Sequence, residues 1–257
     1  MDSVERYVKS IEWIRDELLV MDRLTRPVLG IREWDDAVCV KFGDEKLVVS
    51  VDGPYNKRLV MKSALIHAST DVVVKGAKPL FALDTLIGTK PELEDMIKSL
   101  KVQAGELEIP LLGGNTLYED VEPRCSLTVV GKLLLDKPIR DSTAKFGDVI
   151  CLLGEPIWGE QEERIRIAKK LFDTWFTALS KIKINSAKDV TKGGLAAVVY
   201  EMESKSRRKF KLNDEIPYPL SRNLDNFILT LTEREYKRLE KIAGEKRCKI
   251  GGIGEVS

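Results

Sequence analysis

"IHASTDVVVKGAKPLFALDTL", residues 66–86, carries the chain from one kind of periodicity to another. Residues up to Lys75 read as the end of a helix spanning about 58–75. Gly76 is placed as its left-handed stop, and Pro79 forbids continuation. Residues 79–86, "PLFALDTL", then read as a strand. The oddity is Asp71, among Ala68, Val72, Val73 and Val74, where a packing helix normally carries an apolar residue. A buried carboxylate is costly unless paired or bound to a metal. Lys75 at i+4 offers a salt bridge and His67 at i−4 is another neighbour, so an ordinary pairing stays open alongside a metal.

The pattern outward from this stretch is mixed. Upstream, Asp2 and Glu5 form a capping arrangement, and Val4, Val8, Ile11, Ile14 and Leu18 recur at helical spacing. "DDAVCVKFGDEKLVVSVDG", 35–53, reads as a hairpin turning at Gly43-Asp44. Downstream, Thr89 and Glu92 cap a helix over roughly 91–106. "IPLLGGN" is a strand entering a glycine turn at Gly113-Gly114, and "RCSLTVVGKLLL" a further strand. "DKPIRDSTAKFGD" is a loop that reads as a boundary. Beyond Gly147 come a strand, the long amphipathic helix "QEERIRIAKKLFDTWFTALS", a loop entering a helix near Gly193, and a closing β-α-β unit. The expectation is an α+β fold in two lobes, 1–145 and 146–257.

Bulk properties exclude some functions. The chain has 257 residues, 43% hydrophobic and 32% charged, with 42 basic against 41 acidic side chains and a net charge of +1. That balance gives no reason to expect nucleic acid as a partner. No apolar run approaches the roughly 18 residues of a membrane helix, and the acid-bearing N-terminus does not read as a signal peptide. The expectation is a cytoplasmic protein with no membrane partner. Cys39, Cys125, Cys151 and Cys248 stand singly in apolar surroundings without metal-ligand spacing, which predicts reduced, buried thiols.

Five segments deliver a polar residue beside a glycine or a turn: Asp35-Asp36, Asp52-Gly53, Asp71, Gly113-Gly114-Asn115-Thr116, and Asp189-Val-Thr-Lys-Gly-Gly194. Each has an ordinary reading, because Asp-Gly makes turns, paired aspartates are commonly solvated and Gly-Gly allows close packing. As a set they point further. Gathered carboxylates repel one another and call for cations, and hard oxygen ligands favour Mg²⁺, which shares its sites with phosphates. Backbone N–H groups in glycine turns can cradle phosphate oxygens. No G-x-x-x-x-G-K-[ST] occurs, so the pattern predicts a magnesium–nucleotide site other than a P-loop.

At these residues the chain resembles the superfamily of aminoimidazole ribonucleotide (AIR) synthetase, selenophosphate synthetase, thiamine-monophosphate kinase and the hydrogenase-maturation carbamoyl dehydratase. "WDDAVCV" is similar to its Gly-Asp-Asp-Ala-Ala opening and "VSVDGPY" to its Thr-Asp segment. The 64–86 stretch is similar to its Asn-Asp helix with Met-Gly-Ala-x-Pro. "LLGGNT" resembles its Gly-Gly turn, and "DVTKGGLAAVVYEM" its Asp-x-Thr-x-Gly-Gly-Leu helix. The resemblance implies an N-terminal β-sheet lobe that pairs with a second subunit, plus a C-terminal α/β lobe. It implies Asp35, Asp36, Asp71 and Asp189 as magnesium ligands. Asp52, Gly113, Gly114, Asn115 and Thr116 become nucleotide contacts, with Lys192 positioned to touch a phosphate. The implied reaction is ATP- and Mg²⁺-dependent phosphoryl transfer to an unidentified small molecule, or its activation through phosphate. The nucleophile then belongs to the substrate, and no protein nucleophile is assigned.

Departures from the family pattern bear on the substrate. The N-terminal segment is an amphipathic helix without the reactive Cys of selenide chemistry, and "GGIGEVS" lacks a carbamoyl-accepting cysteine. Trp34 and Asn115 replace a glycine and an acidic or histidine residue, and 203–220 is short. The alternative expectation is a catalytically reduced nucleotide-binding subunit or regulator of a larger assembly. The basic run Lys205–Lys211 reads either as a solvated helix end or as a guide for an anion.

Overall fold

In the computed structural model, which describes residues 3–257, the chain opens with α1 (Ser3–Lys9), α2 (Glu12–Leu18), a 3₁₀ turn (Leu19–Met21) and α3 (Asp22–Thr25). The single opening helix expected is thus interrupted at Ser10-Ile11, and its Asp2 cap lies outside the described residues. No residue of α2 is buried, so nothing clamps a continuous apolar stripe there. The hairpin follows as β1 (Val38–Phe42) and β2 (Glu45–Asn56), then α4 (Lys57–Val60), α5 (Ala64–Val74) and β3 (Ala77–Gly88).

The helix expected over 58–75 is two helices. Asn56 caps the first by accepting from the Leu59 N–H, and the break is stabilised from outside. Gln103 accepts from the Leu65 N–H and donates to the Val60 carbonyl, satisfying two backbone groups that the interruption frees. Gly76 ends α5 at φ +87, the left-handed conformation expected of it.

Next come α6 (Lys90–Leu107), β4 (Leu111–Tyr118) and β5 (Arg124–Leu133). The first sheet runs β1-β2-β5-β3-β4, with only β3 and β4 parallel. The glycine turn expected at 113–114 is instead a continuation of β4. Gly114 lies so close to β3 that a Cβ would sit 1.6 Å from the Asp84 carbonyl oxygen. Glycine here serves strand approach, not a loop.

The second half comprises β6 (Val149–Leu153), α7 (Gln161–Leu179), β7 (Ser186–Asp189), α8 (Gly194–Ser206), β8 (Phe210–Leu212), β9 (Phe227–Leu231), α9 (Glu233–Glu245) and β10 (Ile250–Val256). Its sheet runs β7-β9-β6-β10-β8 and is antiparallel at every pairing. Helices α7 and α9 pack on one face and α8 on the other. Helix α1 crosses over to pack on α8. The four cysteines are buried and unpaired.

Helix α5 sits between the halves. Ala64, Leu65, Ala68 and Val72 join the core of the first sheet, while Ile66, Val73 and Val74 join that of the second. All eleven of its residues are buried. Trp175 of α7 fastens it further, donating its indole N–H to the Val73 carbonyl at 2.6 Å. A helix enclosed on every side has no solvent face on which to put a carboxylate. Asp71 is therefore inside the protein and needs a partner there.

Candidate functional site

Three carboxylates reach the seam between the halves from different elements. Asp36 comes from the segment entering β1, Asp71 from α5 and Asp189 from the end of β7; one oxygen of each lies within 4.8 Å of the others. Asp71 does not pair with Lys75 four residues on. It accepts the Ser50 hydroxyl proton at 2.8 Å, and Asp189 accepts that of Thr70 at 2.8 Å. Among the described residues, Asp36 Oδ2 and Asp189 Oδ1 are buried without a hydrogen-bond partner.

The electrostatics reflect crowding. Burial, then the charges of Asp189, Asp36 and Asp52, push the Asp71 carboxyl well above its ordinary range. Burial and the neighbouring Asp36 raise Asp189 to about 6. Burial would raise Asp36 too, but the ammonium groups of Lys188, Lys75 and Lys205 together outweigh it and hold that carboxyl at about 2. Lys188 is itself 3% exposed and pairs with both Asp36 and Glu201.

Orphaned buried oxygens on convergent carboxylates fit a hard divalent cation, which would satisfy them where protein donors do not. The residues that fit are Asp36, Asp71 and Asp189. Asp35 turns away from them: its side chain is fully buried and pairs with Lys75 at 3.3 Å and Arg140 at 3.1 Å. It also accepts from the Asp141 N–H. The sequence assigned Asp35 with the metal set, but in the fold its charge is neutralised by the protein cations Lys75 and Arg140 instead. Asp141 pairs in turn with Lys205 at 2.7 Å, and Lys205 donates to the Trp34 carbonyl. The first residue of the basic run is thus internal wiring, not a solvated helix end.

Beside the acids lies a cavity of about 870 Å³, walled by α2, the 32–36 segment, β7 and α8. Asp36 and Lys188 line it, with Arg32, Arg140, Lys192 and Arg207 around the wall. Basic groups around a metal-binding carboxylate suit a polyanion such as a phosphate chain. Lys192, expected to touch a phosphate, lines this cavity. The Gly113–Thr116 segment does not. It is exposed on the edge strand β4, and Gly113 lines a separate cavity of about 740 Å³ with Asp84 and Lys101. Asp52 and Gly114 fall in one cross-strand row, with Leu127 and Asp84 between them. Three strand spacings put their backbones roughly 14 Å apart.

Asp52 meets a different partner. His67 is held between Asp225, 2.5 Å from Nδ1, and Asp52, 3.5 Å from Nε2. Burial alone would lower the imidazolium pKa, but the two aspartates outweigh it and raise His67 to about 10. This pair spans α5 and the loop before β9, and its stabilisation has a definite sign. A raised folded-state pKa contributes stability fully present below the ordinary histidine value of 6.5 and lost as pH rises through about 10. Thermal midpoints should therefore fall between pH 7 and 10 by more in the wild type than in His67→Gln. Equal slopes would remove His67 from the account.

Sequence reasoning missed Lys188, Asp225, the pairing of His67 with Asp225 and Asp52, and the Lys75–Asp35 pair. Lys188 left a signal, a lysine inside an otherwise strand-like "SAKDV". Asp225 left none, because nothing local distinguishes it from any loop aspartate.

Comparison with known proteins follows the same lines. The family described as "AIR synthase related protein, N-terminal domain" matches residues 34–133. An uncharacterized protein of Methanocaldococcus jannaschii is 36% identical over 97% of this chain and 83% of its own length. Selenide, water dikinase of Caldanaerobacter subterraneus subsp. tengcongensis is 27% identical over 74% of this chain. The chain spans 62% of that dikinase's length. Among solved structures, T. maritima PurL complexed with ATP matches with a TM-score of 0.75 at 16% identity, over 90% of this chain and 43% of that one. No described helix is long and apolar enough to cross a membrane.

Proposed function

The chain belongs to the AIR synthase-related superfamily, and from that premise we propose that it binds ATP with Mg²⁺ and phosphorylates a small molecule, or activates it through phosphate. The observation carrying this reading is the convergence of Asp36, Asp71 and Asp189, with unpartnered oxygens, beside a cavity walled by basic side chains. Likeness to a dikinase and to a PurL structure holding ATP supports the nucleotide. In this reading Asp36, Asp71 and Asp189 hold the metal, while Asp35 fixes the 32–36 segment through Lys75 and Arg140. Arg32, Lys192 and Arg207 face the phosphates. Magnesium supplies charge neutralisation on the phosphate oxygens when bound. The residues supply positioning, and Asp52 acts through His67 rather than on the nucleotide directly. The 113–116 strand, at the far edge of the sheet, is left out of the nucleotide site of its own chain.

The test has two arms: binding of a non-hydrolysable ATP analogue with Mg²⁺ by calorimetry, and ADP formation over a panel of small metabolites. Binding with turnover on a panel member is the expected result. Absence of analogue binding would sink the reading. Binding with no ADP formed would favour the second reading, a nucleotide-binding subunit without catalysis. One observation favours that alternative: Asp36 is already compensated by Lys188.

We also propose that a second copy covers the first sheet. Its α5 face is packed, but the opposite face exposes Val51 and Leu83, which flank Thr128 of β5, with Leu112 beside Leu83 on β4. Contiguous exposed apolar surface marks an interface. Sedimentation at micromolar concentration should give a dimer; a monomer would contradict this.

A further inference from the structure

The acidic cluster has a built-in substitute for part of its metal charge. The Lys188 side chain is almost wholly buried, and its ammonium pairs with Asp36 Oδ1 and, at 3.2 Å, with Glu201 Oε2. Its neighbour in sequence, Asp189, belongs to the cluster, so β7 delivers an acid and a compensating base from consecutive positions. Glu201 stands on α8, on the cavity side and outside the group of three acids. One ammonium therefore lies between two carboxylates, only one of which belongs to the cluster. A divalent cation on Asp36 would repel that ammonium at short range. Glu201 is the acceptor already in place on the other side.

We propose that Lys188 is the resident counter-ion of the cluster and that Glu201 receives its ammonium when a divalent cation loads. The proposal rests on the reading of Asp36, Asp71 and Asp189 as a cation site. It accounts for how three converging carboxylates fold before metal arrives. It also makes cation affinity a property of the Lys188–Glu201 pair and not of the three ligands alone. The ammonium competes with the metal while it sits on Asp36, and Glu201 weakens that competition by drawing it off.

The probe is Mn²⁺ alone, with free ion followed by electron paramagnetic resonance, on wild type, Lys188→Met, Glu201→Gln and the double variant. Lys188→Met should bind Mn²⁺ about tenfold more tightly, since a competing charge is gone. Without metal its thermal midpoint should fall, and Mn²⁺ should restore it. Glu201→Gln should bind more weakly than wild type, and this loss should vanish in the Lys188→Met background. That coupling separates hand-over from a general loss of negative charge, which would weaken both backgrounds alike. Unchanged or weaker Mn²⁺ binding in Lys188→Met, or an equal Glu201→Gln effect in both backgrounds, overturns the proposal. If Lys188→Met does not fold without metal, refolding in Mn²⁺ should recover it, and failure to recover counts against the proposal. A wild type that binds no Mn²⁺ refutes the cation site itself. A wild type that binds with no Lys188–Glu201 coupling refutes only the hand-over.

Discussion

Asp71→Asn should weaken Mg²⁺ binding by about a hundredfold, the upper end of what losing even a ligand's supporting partner costs, while making the metal-free protein more stable. The two effects have one cause. In the metal-free protein the Asp71 charge is buried and faces those of Asp189 and Asp36, which is why its carboxyl is raised from 3.8. A carboxyl raised on folding costs stability increasingly as pH climbs above its unfolded value, because the folded form gives up its proton less willingly. The amide removes that cost and still accepts the Ser50 hydroxyl. At pH 7–8 the variant should therefore melt higher than wild type without Mg²⁺ and show little upward shift when Mg²⁺ is added. Near pH 4 the two should converge. Calorimetric titration of Mg²⁺, with thermal unfolding across pH, checks both halves. Unaltered Mg²⁺ affinity would make Asp71 a structural carboxylate.

Lys75→Met should have the largest effect on folding, a loss of about 3–5 kcal/mol, as for other buried pairs broken from one side. Lys75 is fully buried, four residues from Asp71, and its ammonium pairs with Asp35 while facing Asp141 and Asp36. Burial would depress its pKa, yet those three aspartates raise it. Removing the ammonium leaves Asp35 to Arg140 and the Asp141 N–H, and leaves Asp141 to Lys205. For a chain of this size the thermal midpoint should drop by about 10 °C. The double variant Lys75→Met with Asp35→Leu should regain part of that loss, because it no longer strands a charge. A single variant that melts within a degree or two of wild type would show that Lys75 is dispensable. Asp71 and Lys75 are near in sequence, yet one variant is expected to stabilise the metal-free protein and the other to break it. The difference lies in which aspartate the lysine reaches.

The sequence determined a good deal by itself. Local steric rules sufficed for the Gly43-Asp44 hairpin, the stop at Gly76, the Thr89–Glu92 start of α6 and the β-α-β close. Ordered motifs sufficed for the superfamily, and the misplaced polarity of Asp71 sufficed to mark a buried carboxylate in need of a partner. What local pattern could not decide was pairing. Whether Lys75 turned to Asp71 or Asp35 depended on a loop 40 positions upstream, and whether Gly113-Gly114 turned or ran straight depended on how closely β3 approached. The split of the Asp35-Asp36 doublet between a structural ion pair and the acidic cluster, and the insertion of Lys188 between Asp36 and Glu201, likewise needed the two halves brought together. Backbone conformation is largely chosen within a few residues, and one chain segment records that choice. Charge is compensated across space, by whichever group the fold brings within a few ångströms, and only the tertiary structure says which that is.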